Sequence, residues 1–403
     1  MHTRTELTPR TGPLTGGVGG PVLTLAAATF TVVTSEMLPV GLLSPLADGL
    51  GRSEGAVGLA VTLPGIVAAL AAPLLPPAVR RTGRRAVLVT LLVVLGAANL
   101  CCALAPNLPA LLAARVLVGV CIGGVWAIAA GLAPRLVPAE RAGRATAVVF
   151  SGIAVASVAG VPAGTLLGEL AGWRWSFAVV GALALGVAAL LRAVLPPLPA
   201  ARAVRPAALL ALLRARRVRQ GLVVVLLLVT GHFAAYTYVR PLLERVPDLT
   251  PGLVSALLLA YGVAGIAGNF LGGTLAVRSA GLGGVVLLLV PAGGSLFASA
   301  VLLPAWGVAY GGVSVAAQNW LAGAAPTARE AVSGLFAGTF NCAIALGAFT
   351  GGLVVDASGA GAVLWLGGAL ALTASVAAGL RLRPGGGRPR PAAEPHIDAA
   401  PRP

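Results

Sequence analysis

The chain has no lysine, and its 403 residues hold 28 arginines against only 12 acidic residues. Charged residues make up 10% of it, where a soluble domain carries about a quarter. Aromatics are scarce at 5%, and only three histidines, four cysteines and two methionines occur. Each scarcity excludes something. With 58% hydrophobic residues and a mean hydropathy of +0.94, so few charges cannot coat a soluble fold of this length. His232 is the only histidine outside the two tails, and no second His or Cys pair at ligand spacing accompanies it. No metal and no cofactor are therefore expected. Cys101, Cys102, Cys121 and Cys342 all lie in apolar runs, so no structural disulfide is expected. No cluster of His, Asp or Cys gathers near one face, which weighs against an intramembrane acyl- or glycosyltransferase, and the protein does not read as an enzyme. A membrane sensor is disfavoured too, since no soluble output domain is evident.

What the chain does have is long apolar runs. Twelve are read as spans, at 21–47, 56–79, 86–105, 109–133, 145–168, 175–195, 221–243, 252–275, 283–303, 305–325, 331–354 and 360–380. Each suits a bilayer core of about 30 Å. The runs are continuous rather than alternating, so they read as helices and not barrel strands. The segment Met1–Gly20 is polar and Gly-rich, with no cleavable signal pattern, and the first span is expected to act as its own insertion signal.

A net charge of +16 could suggest nucleic acid, but its distribution argues against that partner. Arg4, Arg10, Arg80, Arg81, Arg84, Arg85, Arg135, Arg141, Arg144, seven arginines from Arg192 to Arg219, Arg278, Arg329 and five after residue 380 fall on one side of the spans. The opposite loops hold Arg52, Arg174, Arg240 and Arg245. By the positive-inside rule, both termini are cytoplasmic and the chain is a multi-pass protein of the cell membrane. An Arg-only, Ala- and Gly-rich composition is also what a GC-rich genome produces.

Residues 196–220 interrupt the pattern. They are Pro-rich, then basic and amphipathic, and read as a cytoplasmic linker with a short surface helix. The expected organisation is a cytoplasmic segment 1–20, a six-helix bundle 21–195, the linker 196–220, a second six-helix bundle 221–382 and a disordered tail 383–403. The halves resemble each other: Gly123-Gly124-Val125 and Gly311-Gly312-Val313 lie 188 residues apart, and the same offset carries Pro138 onto Pro326 and Arg141 onto Arg329. The fold class is thus an all-α membrane protein of twelve transmembrane helices in two pseudo-symmetric six-helix bundles. A duplicated six-helix unit is the signature of alternating access.

Glu36 is the one charge in the first span, with Pro39 just beyond it to free a backbone carbonyl. A carboxylate there costs roughly 2.5–3.5 kcal/mol on insertion scales. It reads as a proton carrier or a ligand for a cationic substrate, against a structural hydrogen bond to another helix. Arg115, in the fourth span, either snorkels to the headgroups or pairs with Glu36 or substrate. His232, near the middle of the seventh span, is a candidate for substrate binding or proton relay, against a satisfied interhelix hydrogen bond. Trp126, Tyr236, Asn269, Gln318, Trp320 and Asn341 are candidate cavity residues. Gly152, Ala156, Gly160, Gly164 and Gly168 recur every fourth position along the fifth span, where Pro162 adds a bend. This small-residue face permits close helix approach and is expected to form a gliding contact between halves. Arg80-Arg81-Thr82-Gly83-Arg84-Arg85 is either a positive-inside anchor or a gating turn.

These residues together resemble the major facilitator superfamily, in its twelve-helix drug:proton antiporter branch. The likeness runs from about residue 21 to 380 and is nearest to bacterial sugar or arabinose-type, nucleoside and chloramphenicol exporters. It rests on Thr34-Ser35-Glu36 with Pro39-Val40-Gly41-Leu42-Leu43, the Arg115 segment, Gly160-Val161-Pro162-Ala163-Gly164, Gly172-Trp173-Arg174, Gly231-His232-Phe233-Ala234-Ala235-Tyr236-Thr237-Tyr238 and Gln318-Asn319-Trp320. The resemblance implies proton-driven export, with gating by Arg81, Gly83 and Arg84. The chain departs from the family pattern at Arg80 and Val277, where acidic residues are usual, and at Val161-Pro162, where Gly-Pro is usual. The expected function is proton-coupled efflux of a small organic molecule by a monomer in a lipid bilayer. An uncoupled facilitator or importer of a small metabolite is the alternative, with Glu36 then a substrate ligand.

Overall fold

The computed structural model describes residues 19–379, apart from 80, 133–134, 199–211, 248, 272–274, 293 and 327. Every described regular element is helical. Among the described residues, eleven helices are long and apolar enough to cross a membrane, and the shorter apolar stretch Ser279–Pro291 accounts for a twelfth span. Residues 1–18 of the expected segment 1–20, the whole of the expected tail 383–403 and the centre of the expected linker lie outside the described residues.

The first half of the chain contributes α1 (Gly19–Gly41), α2 (Leu43–Leu50), α3 (Glu54–Ala78), α4 (Arg84–Ala103), α5 (Leu108–Leu132), α6 (Ala142–Val155), α7 (Val161–Ala171) and α8 (Trp173–Val194). The second contributes α9 (Arg216–Tyr236), α10 (Val239–Leu243), α11 (Pro251–Phe270), α12 (Leu275–Ala292), α13 (Leu296–Gly311), α14 (Val313–Ala324), α15 (Arg329–Ser358) and α16 (Ala362–Gly379). Within the first half α3 packs on α5, α4 on α8, and α1 on α6 and α8. Within the second, α9 packs on α15 and α16, α11 on α13, and α12 on α16. The halves meet along α3 with α15, and along α7 with α11.

Several expected boundaries are corrected. The first span is two helices, α1 and α2, parted at Leu42. The seventh is likewise α9 and α10, parted at Thr237-Tyr238, and α9 starts before residue 221. Prolines explain both short helices. Pro45 and Pro241 each stand in the first turn of α2 and α10, where a missing N–H breaks no bond within that helix. The ninth and tenth spans were divided near Pro304, but that proline lies inside α13. The chain instead turns before Ser295, whose Oγ caps α13 by accepting from the Ala298 N–H.

Pro162 does not simply bend the fifth span. It withholds the N–H that the Val158 carbonyl would take, and the turn Ala156–Gly160 widens into a π-helix in which Val161 N–H reaches Ala156. The glycine face beside it packs within its own half, not between halves. A Cβ at Gly152, Gly160, Gly164 or Gly168 would run into Ala26 and Thr29, Thr34, Leu38 and Leu42 respectively, all of the first span. The contact between halves here falls on Ser157 and Val158, which face Gly262 of α11.

One end of the molecule is closed by polar contacts between halves. Arg240 of α10 donates to the Gly41 carbonyl at 2.7 Å and pairs with Glu169 of α7 at 3.2 Å. Asp356 of α15 accepts from Ser53 Oγ at 2.8 Å and from the Gly55 N–H at 3.0 Å. Below these, Tyr238 inserts between Gly58 and Gly352 and donates to the Ala348 carbonyl at 2.7 Å.

Candidate functional site

The site begins with a helix that cannot complete its hydrogen bonds. Pro39 has no N–H, so the Ser35 carbonyl lacks its helical donor. Arg115 of α5 takes that place: Nη1 donates to Ser35 O at 2.8 Å. Its Nη2 donates to Glu36 O at 3.1 Å, and Nε to Ala60 O of α3 at 2.8 Å. The arginine is fully buried, which corrects the snorkelling reading. It neither snorkels nor joins the Glu36 carboxylate in an ion pair; its bonds end on three backbone carbonyls. Asn99 of α4 braces the same turn, donating Nδ2 to Ser35 Oγ at 2.9 Å and to the Leu95 carbonyl at 2.8 Å.

Glu36 itself is buried at 6% exposure. Its carboxylate has no hydrogen bond or ion pair among the described residues, although the Arg115 charge is close enough to act on it. Across the interface, the Tyr310 hydroxyl of α13 lies within electrostatic reach of Glu36 and is buried without a hydrogen-bond partner. Here a buried carboxyl group lies within electrostatic reach of the second half, with no hydrogen bond or ion pair to it among the described residues.

That facing surface is built around His232. Its ring stacks on Tyr310 with centroids 3.4 Å apart and on Tyr236 at 5.1 Å, and Trp306 meets it edge-on. Trp306 Nε1 lies 3.1 Å from His232 Nδ1. An indole nitrogen can only donate, so Nδ1 must be the acceptor. The neutral imidazole then carries its proton on Nε2, directed to Tyr261 Oη at 3.4 Å. His232 is thus built into an aromatic wall, and taking a second proton would break the Trp306 bond.

The remaining candidates are spread out. Asn341 is buried on α15, donating to the Ala337 carbonyl at 2.9 Å, while its Oδ1 has no partner in the structure. Gln318 and Asn269 are exposed. Trp320 lies against Gly221 and donates to the Arg217 carbonyl at 3.3 Å, at the start of α9. Trp126 is half-buried beside Phe150 of α6. Arg81 and Gly83 are exposed, and Arg84 is buried. The Arg84 N–H and Arg85 Nη1 donate to the Leu198 and Leu195 carbonyls, docking this turn on the segment after α8.

Sequence reasoning missed Asn99, Tyr261, Trp306, Tyr310, Glu169 and Asp356, and read Arg240 as a loop charge. A signal for the wall was present. The chain has only four tyrosines, all in the second half, and three of them gather on His232.

The family model described as Major Facilitator Superfamily matches residues 25–306. The chain is 35% identical over 388 residues to the "Transcription regulatory protein OpdE" of Pseudomonas aeruginosa, covering 93% of this chain and 96% of that protein. It is 28% identical to a "Probable sugar efflux transporter" of Helicobacter pylori, over 88% of this chain and 93% of that one. Among solved structures, a bacterial homolog of the human lysosomal transporter Spinster, inward-facing and unoccupied, superimposes with a TM-score of 0.71 at 15% identity, covering 90% of this chain and 95% of that one. The human organic anion transporter MFSD10 gives a TM-score of 0.64 at 18% identity, over 89% and 98%. Long apolar helices in two halves, the match of the family model over most of the chain and the shared fold lead to one assignment: this chain belongs to the major facilitator superfamily and is a membrane transporter, not an enzyme.

Proposed function

We propose that the protein exports a small organic molecule from the cell in exchange for protons, with Glu36 as the proton carrier. The observation that carries this is the buried Glu36 carboxylate, which no hydrogen bond or ion pair holds in one charge state among the described residues. An ionisable group that is costly to bury and left uncommitted is suited to be charged in one state and neutral in another. Arg115 acts as the positioning group, holding the turn that presents Glu36. His232, with Nδ1 occupied, acts as wall rather than relay. Tyr236 and Tyr310 supply further surface, and Asn341 an acceptor. The export direction is supported by the efflux transporter of Helicobacter pylori, 28% identical, and by the resemblance noted above.

The arginine distribution supports cytoplasmic termini, which makes the end bearing Arg240 and Asp356 external. With that end closed, the structure corresponds to an inward-facing state. One proton moved through 100 mV releases about 2.3 kcal/mol. At 1.4 kcal/mol per decade this supports roughly a fiftyfold gradient of a neutral substrate.

The test is Glu36→Gln in everted membrane vesicles, reading substrate and proton movement together over a panel of neutral and cationic compounds. The expected result is normal insertion, loss of pH-driven transport and survival of substrate exchange at equal concentrations. Full pH-driven transport by the variant would remove Glu36 from coupling and favour an uncoupled facilitator.

A further inference from the structure

The closed end joins the halves in a chemically specific way. Gly41 stands four residues before Pro45, so its carbonyl, like that of Ser35, has no helical N–H to accept. Arg240 occupies it from the other half at 2.7 Å, while its Nε donates to Glu244 at 2.7 Å and its Nη2 forms an ion pair with Glu169 at 3.2 Å. The side chain is 5% exposed. Asp356 does the complementary thing. Its carboxylate sits on the first turn of α3, taking the free Gly55 N–H and the Ser53 hydroxyl, where the helix dipole favours an anion. A cation of the second half thus binds a carbonyl where α1 ends, and an anion of the second half binds the amino end of α3. Both contacts form only when the halves are together at this end.

We propose that Arg240 and Asp356 are the gating residues of this transporter: two latches, each seated on a helix end of the opposite half, that hold one side closed and must both release for the other state to form. The assignment of that side as external rests on the orientation proposed above. The latches themselves do not depend on proton coupling. Truncating either side chain breaks one set of contacts between the halves, and within its own half costs only the Arg240–Glu244 pair.

The experiment measures distance across the gate. Spin labels are placed at Arg52→Cys and Gly252→Cys, exposed positions on either side of it, with the exposed Cys101 and Cys342 changed to serine. Pulsed dipolar spectroscopy then compares the parent with Arg240→Ala and Asp356→Ala in lipid. The parent should show a dominant short distance. Each variant should raise the ratio of a longer-distance population by about tenfold, the order expected for one charged hydrogen-bond set, and the two together should raise it further. Arg240→Lys should restore most of the short distance. Should Arg240→Ala or Asp356→Ala misfold, Glu169→Gln weakens the Arg240 latch from the first half and must shift the distances in the same direction, by less. An unchanged distance distribution in folded latch variants overturns the proposal. The readout uses no substrate and no pH gradient, so it stands apart from the outcome for Glu36.

Discussion

Arg115 sits on the one carbonyl that Pro39 strands: Nη1 lies 2.8 Å from the oxygen of Ser35, the residue four before the proline. A buried guanidinium and a helix-breaking ring are thereby a single unit. Neither is tolerable alone, since a lone buried cation and a lone buried carbonyl each cost free energy. The unit fixes the backbone from which Glu36 projects.

That relationship makes a coupled prediction. Arg115→Lys keeps the charge but cannot reach three carbonyls with a fork, so it should destabilise the detergent-solubilised protein by about 1–3 kcal/mol. Pro39→Ala returns an N–H to Ser35 and should recover part of that loss. Thermal unfolding of the two single variants and the double variant checks it. Strictly additive effects would show that the proline and the arginine act independently.

Gly160→Leu should impair transport far more than Leu166→Ala. A side chain at Gly160 runs into Thr34 of α1, two residues from Glu36, whereas Leu166 is 43% exposed on the outer surface. The measurement is transport rate normalised to inserted protein. Equal rates would show that the α1 contact tolerates a side chain's width.

Trp306→Phe should introduce a new pH dependence. Losing the indole N–H leaves His232 Nδ1 free to accept a proton, so the variant's rate relative to the parent should fall as pH is lowered and recover as it is raised. A constant ratio across the acid range would mean that Trp306 does not set the state of His232.

Topology is tested by single cysteines placed between residues 199 and 211, in a background without exposed native thiols. An impermeant thiol reagent should label them in everted vesicles and not in intact cells. Labelling from outside would reverse the assigned orientation and the assignment of the closed end.

The general fold was legible because bilayer-length apolar runs leave few alternatives. The places where reading failed share one cause. Proline has different meanings depending on which carbonyl it orphans and whether a distant group can serve it. Pro304 looked like a boundary but is carried inside α13. Pro39 looked like local loosening, yet its orphan is served by a residue 80 positions away from Ser35. Arg240 looked like a loop charge because its acceptors, Gly41 and Glu169, lie far off in the sequence. Glu36 stood out because cost alone marks it, needing no knowledge of neighbours. Tyr261, Trp306 and Tyr310 did not stand out, since an aromatic in an apolar helix is ordinary until its partner ring is known.

Glu36 and His232 lie 196 residues apart, as do Pro45 and Pro241, which open the short helices α2 and α10. The two groups thus occupy the same slot of a repeated unit. One copy offers an acid with nothing bound to its carboxylate; the other offers an imidazole whose basic nitrogen is already spoken for. Of the pair, His232 is held in the aromatic wall and Glu36 is left as the proposed carrier. Were Glu36 the sole carrier of the proposed exchange, one proton would move for each turnover. A neutral substrate would then be exported with one positive charge moving inward, and a monovalent cation with none.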